Sequence, residues 1–310
     1  MFPDEETAYL AFQDGELDFC PVPTGAMGGA ADVYGVSDDG ITVSPGAQVL
    51  TGPEAAVNYI FLDTTDEILG NVKLRRALSL AIDRQKIADA FFQGVAKPAT
   101  SIVPSSVLGY EDGAWSYSRY DVAAAKTMLG EAGYPRGRDL PDIYLYSHAG
   151  ASTTAQILGS VKDDLEAIGV TVVLQEVDYA QYVRRLKNGS LSGGYAGWIA
   201  DYPSVHNFLY SLFGSDSTDN NSQYVDSSFN RQVADARATK DEQERILKYQ
   251  EIARTIGDDA PVIPLLEYSH SHVGSARLRD FVYDHMGVAH LDAAWLSETG
   301  LTATAGAGGT

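Results

Sequence analysis

Apolar positions fall at helical spacing in some stretches of the chain and in short alternating or β-branched blocks in others. Behind Asn71, residues Leu74, Ala77, Leu78, Ala81 and Ile82 repeat at i, i+3, i+4, which predicts an amphipathic helix capped by the asparagine. Arg75, Arg76 and Arg84 lie off that stripe; pairing with nearby carboxylates is expected of them, the alternative being an anion contact in a cleft. Asp121 opens a second helix through Ala124, Ala125, Met128, Leu129 and Ala132, stopped by Gly133 with Pro135 just beyond.

From Asp142 the pattern alternates. Ile143–Tyr146 is strand-like, and Leu158, Val161, Leu165 and Ile168 mark a helix ended by Gly169. Val170–Leu174 is β-branched, Asp178 caps a helix running to Asn188-Gly189, and Gly194–Ile199 is the next strand. Short connections in such a series imply parallel pairing through right-handed crossovers, with Ser147-His148 and Asp201 at strand ends on the same side. Asp241–Asp258 reads as a helix with Ile246, Tyr249, Ile252 and Ala253 inward, and Pro261–Leu266 as a proline-bounded strand suited to a sheet edge. Gly25–Ala31 reads as a mobile loop and Thr302–Thr310 as a disordered tail.

The 310 residues are 45% hydrophobic, enough for one large or two modest domains. No apolar run approaches the roughly 20 residues that span a bilayer, and residues 1–20 lack the basic start and apolar centre of an export signal. The single cysteine, Cys20, follows Asp18 and Phe19 where a lipid-attachment motif has small and aliphatic residues. With 22 Lys and Arg against 42 Asp and Glu, the net charge is −20. That excludes nucleic acid, whose binding needs a basic face. A cationic or neutral small ligand fits better, and much of the acidity serves solubility.

No nucleophile elbow, phosphate-binding Gly-rich loop, His-Glu-x-x-His pair or dinucleotide fingerprint is present in the sequence. His270 and His272 would share one face of a strand, with His285 and His290 following, but no cysteine lies near; surface histidines are the simpler reading and no metal is expected. The sharpest feature is Tyr195–Pro203, an apolar run that ends in a carboxylate between aromatics and a proline. A flat ring and a negative charge at a strand end suit a receptor for something cationic. The plainer alternative makes Trp198 core, Asp201 the cap of the helix containing Asn207–Tyr210, and Pro203 the start of a turn.

Asn71–Arg84, then Tyr120-Asp121 through Pro135, then the Trp198-x-x-Asp201-Tyr202 segment, then Ala260–Leu265, taken in that order, resemble the solute-binding proteins of oligopeptide, dipeptide and nickel ABC importers, extracellular solute-binding family 5. Asp14-Gly15-Glu16-Leu17-Asp18 resembles an element late in that family's first lobe. The likeness runs from about Glu6 to Trp295 and matches the C-terminal half of a family member. It implies an α/β fold, the C-terminal lobe of a type II periplasmic-binding-protein-like architecture with a mixed sheet flanked by helices. Residues 1–50 would be a remnant of the N-terminal lobe and linker, 51–283 the solute-binding lobe, and 284–310 a return segment plus disordered tail.

The resemblance also assigns roles. Asp201 would receive a ligand α-ammonium, Trp198 would line an adjacent side-chain pocket, and backbone groups around Ile199 and Ala200 would bond a peptide main chain. Tyr195 stands where some members place an arginine for a ligand carboxylate, which leaves ligand length open. Tyr202, His148 and Asn207, with Tyr146 and His206 behind them, complete the candidate cleft. The implied function is the substrate-binding part of an ABC importer, extracytoplasmic, without cofactor, taking an oligopeptide or other small cationic solute and delivering it to the permease membrane subunits. A non-transport peptide sensor or an interaction remnant is the alternative; a hydrolase using Asp201 with His206 or His148 lacks a convincing nucleophile.

Overall fold

The computed structural model describes residues 2, 4–92, 96–150 and 152–298; the tail Thr302–Thr310 lies outside them. The chain begins with α1 (Glu5–Gln13), β1 (Phe19–Pro21), α2 (Met27–Tyr34) and the long strand β2 (Val49–Leu62). Next come α3 (Val72–Ala81), α4 (Arg84–Phe92), β3 (Lys97–Pro98) and α5 (Val122–Glu131). The alternating part is β4 (Ile143–His148), α6 (Ser152–Glu166), β5 (Val172–Val177), α7 (Tyr179–Lys187) and β6 (Gly193–Ile199). Then follow α8 (Val205–Phe213), α9 (Phe229–Ala238), α10 (Glu242–Asp259) and β7 (Val262–Gly274), and finally four two-residue strands, β8 (Leu278–Arg279), β9 (Val282–Tyr283), β10 (Ala289–His290) and β11 (Trp295–Leu296).

The chain divides into two compact units: residues up to Glu54 with those from Ser269 onward, and Ala55–Tyr268. In the larger unit the strand order is β7-β2-β6-β4-β5. β4 pairs in parallel with both β5 and β6, as the short strand–helix alternation requires, while β6 runs antiparallel to β2, making the sheet mixed. β5 starts two residues later than the β-branched run suggests, because pairing from Ile143↔Val172 to His148↔Val177 sets its length. One face carries the core: Ile60 and Leu62 of β2 and Leu145 of β4 pack with Leu74, Leu78, Ile87, Leu129, Leu158 and Val161 of the helices. Each fully buried Leu or Ile contributes about 1.5–3 kcal/mol, so this layer holds the helices on the sheet.

Helix boundaries follow local chemistry. The Asn71 side chain accepts from the amides of Lys73 and Leu74, Asp121 from Ala124, Asp178 from Gln181 and Asp241 from Glu244. The arginines depart from expectation. Arg84, 3% exposed, donates to the carbonyls of Ser79, Ile82 and Pro264 and to the Ser79 hydroxyl. Arg75, also buried, donates to the carbonyls of Leu69, Gly70, Asp259 and Ala260, and Arg76 to that of Asp258. Their partners are therefore mostly backbone oxygens, those of Ser79, Ile82, Asp258, Asp259 and Ala260 at the C-terminal ends of α3 and α10, where helices leave carbonyls unpaired and partly negative, and not carboxylates.

Two further expectations change. The Pro261–Leu266 run is not a sheet edge: this part of β7 lies between β2 on one side and β3 on the other, and the Pro264 carbonyl accepts from Arg84 Nε at 2.6 Å. Within the smaller unit, Gly25–Ala31 is largely helical, because Ala30 is fully buried against Phe12, Val49 and Tyr34. There β1 pairs with the end of β7 (Cys20↔Val273), and Asp18 holds Arg277 through two bonds of 2.6 and 2.7 Å. Gly15, at φ +77°, turns the chain after α1 as the Asp14–Asp18 motif anticipates.

Candidate functional site

β6 lies against β2 with Val57 opposite Trp198 and Ala56 opposite Ile199, and the Ala200 amide still bonds to the Ala55 carbonyl at 2.9 Å. Past that bond the chain leaves the sheet. Asp201, Tyr202 and Pro203 are exposed, and α8 begins at Val205. The helix cap is Ser204, whose side chain accepts from the His206 amide, so Asp201 is not the cap.

Asn207, 1% exposed, organises this corner. Its Oδ1 accepts from Trp198 Nε1 at 2.8 Å and from the Asp201 amide at 3.1 Å, and its Nδ2 donates to Asp201 Oδ2 at 3.2 Å. One buried amide thus fixes the indole and the acid together. Asp201 is exposed, and among the described residues it makes no ion pair. Trp198 is half-buried, Ile199 is 68% exposed and Ala200 is buried. Tyr202 is exposed, with its hydroxyl 2.7 Å from His206 Nδ1.

The other candidates are not gathered here. Tyr195 is three residues before Trp198 on the same strand, so the two rings leave opposite faces of the sheet. Tyr195 sits opposite Ile60 and packs against the helical core; burial and a hydrogen bond to Tyr268 push its phenol far above the ordinary range. His148 ends β4, edge-on to the Tyr179 ring at 5.3 Å. Because Tyr146 is level with Gly194, β6 runs three residues past His148 to Ile199, roughly 10 Å at the rise of a strand. Tyr146 lies under the Arg185 guanidinium, 4.5 Å from its centroid.

In the smaller unit His270 is buried, contrary to the surface reading, and its Nε2 lies 2.8 Å from the Gly40 carbonyl oxygen. His272 stacks on Phe19 at 5.0 Å, and the two imidazole centroids are 6.2 Å apart. Among the described residues no group of three or more His, Cys, Asp or Glu is placed to hold a metal, and no helix is long and apolar enough to cross a membrane.

Asn207 is the residue whose weight sequence reasoning underrated. Its signal is an amide on the apolar side of Val205–Phe213, where a buried polar group must find partners.

Comparison with known proteins bears on the family and the fold. Residues 1–220 match the family model described as bacterial extracellular solute-binding proteins, family 5 Middle. Heme-binding protein A of Haemophilus influenzae is 29% identical over 93% of this chain and 51% of its own length, and the dipeptide-binding protein of Escherichia coli 24% over 94% and 53%. The chain spans about half the length of the curated relatives it matches. Among solved structures, HbpA2 from Haemophilus parasuis superposes with a TM-score of 0.81 at 27% identity, covering 96% of this chain and 57% of that one. These relatives are named for what they bind and not for a reaction. The α/β fold with its mixed, helix-flanked sheet is that of periplasmic binding proteins, and the chain belongs to the bacterial extracellular solute-binding proteins, family 5.

Proposed function

We propose that this chain carries the cation-recognising part of the substrate-binding component of an ABC importer, working outside the cytoplasm and passing a peptide-like solute to the permease subunits. The observation that carries the reading is the exposed Asp201 carboxylate, oriented by Asn207 beside the Trp198 ring and free of a protein cation. A carboxylate so held accepts a charge-assisted N–H···O bond from an ammonium group, and the neighbouring indole adds cation–π attraction. Backbone groups near the exposed Ile199 suit strand-like bonding of a peptide main chain. The names of the matched relatives cover unlike ligands, so the solute class rests on this chemistry. The residues 55–268 unit supplies all of these groups, and the smaller unit is proposed to belong with the linker and the return segment of the whole receptor.

The test is calorimetric titration of di- to pentapeptides with free and with acetylated amino termini. Free amino termini are expected to bind more tightly by roughly 1.5–3 kcal/mol, the worth of a charged hydrogen bond, and Asp201→Asn to abolish the difference. Equal affinity for the two peptide sets would remove Asp201 from the site.

A further inference from the structure

On the flank of α8 that carries His206 and Tyr210, next to Asn207, is a second constellation. Tyr202, His206 and Tyr210 form a stacked ladder, with ring centroids 6.1 and 5.4 Å apart and interplanar angles of 27° and 16°. Tyr249 of α10 closes one side, edge-on to His206 at 6.1 Å. Arg237, from the last turn of α9, and Arg245, from the first turns of α10, complete the lining of two adjoining cavities of about 510 and 550 Å³ that share His206, Tyr210 and Arg237.

The arginines are the informative part. In a chain with 42 acidic residues, a cation near the surface ordinarily has a carboxylate beside it. Among the described residues Arg237 has no hydrogen-bond or ion-pair partner, although it is exposed and Asp235, two residues away, is engaged with Lys248. Arg245 donates to the Thr239 carbonyl at 3.1 Å and approaches Glu242 at 3.9 Å, which leaves part of its fork unengaged. The acid in the cavities is Asp216, held at the far end by the Tyr210 hydroxyl at 2.8 Å and by Asn230. Burial and Arg237 both hold His206 below the usual histidine range.

We infer that this pocket is a second small-molecule site, one that does not use the Asp201 carboxylate although Tyr202 adjoins both, and that it takes a planar aromatic carboxylate with its ring along the Tyr202–His206–Tyr210 ladder and its acid on Arg237 and Arg245. A guanidinium fork matches a carboxylate bidentately, offset stacking fits a flat ring, and the volume is within the range of sites for such molecules. An aliphatic acid would satisfy the arginines but leave the ladder uncovered. A neutral ring would do the reverse.

Saturation-transfer NMR and calorimetry on the 310-residue chain test this with indole-3-acetate as probe, cyclohexylacetate as the acid without an aromatic plane and indole-3-ethanol as the ring without the acid. Indole-3-acetate is expected to bind in the millimolar range or better, and each comparison compound about tenfold more weakly. The double substitution Arg237→Gln with Arg245→Gln is expected to weaken indole-3-acetate by at least about tenfold in a chain that still unfolds cooperatively, and Arg237→Gln alone, at an exposed residue, to weaken it with the melting temperature unchanged, whereas Asp201→Asn leaves binding unaltered. No transfer to indole-3-acetate, equal binding of either comparison compound, or indifference to the double substitution would overturn the proposal. An equal loss in Asp201→Asn would overturn the separateness of the two sites, and none of these results bears on whether Asp201 binds an ammonium group.

Discussion

Asn207 and Trp198 are joined by a 2.8 Å hydrogen bond between the amide Oδ1 and the indole Nε1, across nine residues that leave a strand, turn and enter a helix. Because the same oxygen accepts the Asp201 amide, the acid cannot change direction independently of the ring. The rigidity of the candidate site therefore rests on a residue that need not itself touch a ligand.

Substitution Asn207→Leu removes the acceptor for two N–H groups and the donor to Asp201, while retaining similar volume. Unfolding free energy is expected to fall by about 1–3 kcal/mol, the cost of buried donors left unpaired. The preference for free over acetylated amino termini is expected to shrink, as read by denaturant titration and calorimetry on the same variant.

Arg84→Met tests the carbonyl-capping role. It leaves the Ser79, Ile82 and Pro264 carbonyls without their guanidinium donor in a buried place. A loss of at least about 2 kcal/mol in chemical denaturation is expected, since each unpaired buried group costs on that order. Arg136→Met, an exposed arginine, is the reference and should change little.

Gly194 is pinned by close approach. A Cβ there would lie 2.7 Å from the Tyr146 carbonyl oxygen and 3.0 Å from the Phe61 ring, so β6 could not keep its distance from β4. Gly194→Ala is expected to lower stability by about 1–3 kcal/mol, as overpacking does. The half-buried Gly130 of α5, where an added Cβ meets nothing within 4 Å, should accept alanine without loss.

Burial holds His272 down to about 4, with the His270 imidazole further disfavouring its charge, and burial also lowers His270, where His285 acts in the same sense and the bond to the Gly40 carbonyl against it. Both are neutral in the folded chain at pH values where the unfolded chain, near 6.5, takes up protons. Stability from this pair is therefore complete above about 6.5 and is lost as pH falls toward about 4, by up to roughly 3 kcal/mol for His272. His272→Phe, which keeps a ring against Phe19, should flatten that slope between pH 6.5 and 4 in urea titrations. Asp18, Asp39 and Asp284, all lowered, act below that window.

Much of the fold is legible in the residues. Asn71, Asp121, Asp178 and Asp241 cap their helices, the stripe from Leu74 to Ile82 is buried, and the alternation from Ile143 to Ile199 has its parallel strands. The opposed facing of Tyr195 and Trp198 follows from a period of two and needs only the strand to be placed. These are relationships within a few residues, where backbone geometry and side-chain type act directly.

The sequence by itself determined where helices and strands begin, which faces are apolar and that an acid follows an indole at a strand end. Tertiary structure alone decided that Arg84 turns to the carbonyl of Pro264, that β7 is flanked on both sides, that Gly25–Ala31 coils against Val49, and that Asn207 locks Trp198 to Asp201. The physical reason is that a buried group must be satisfied by whatever the fold brings beside it, and a partner such as Pro264, 180 residues from Arg84, lies beyond the reach of any local pattern.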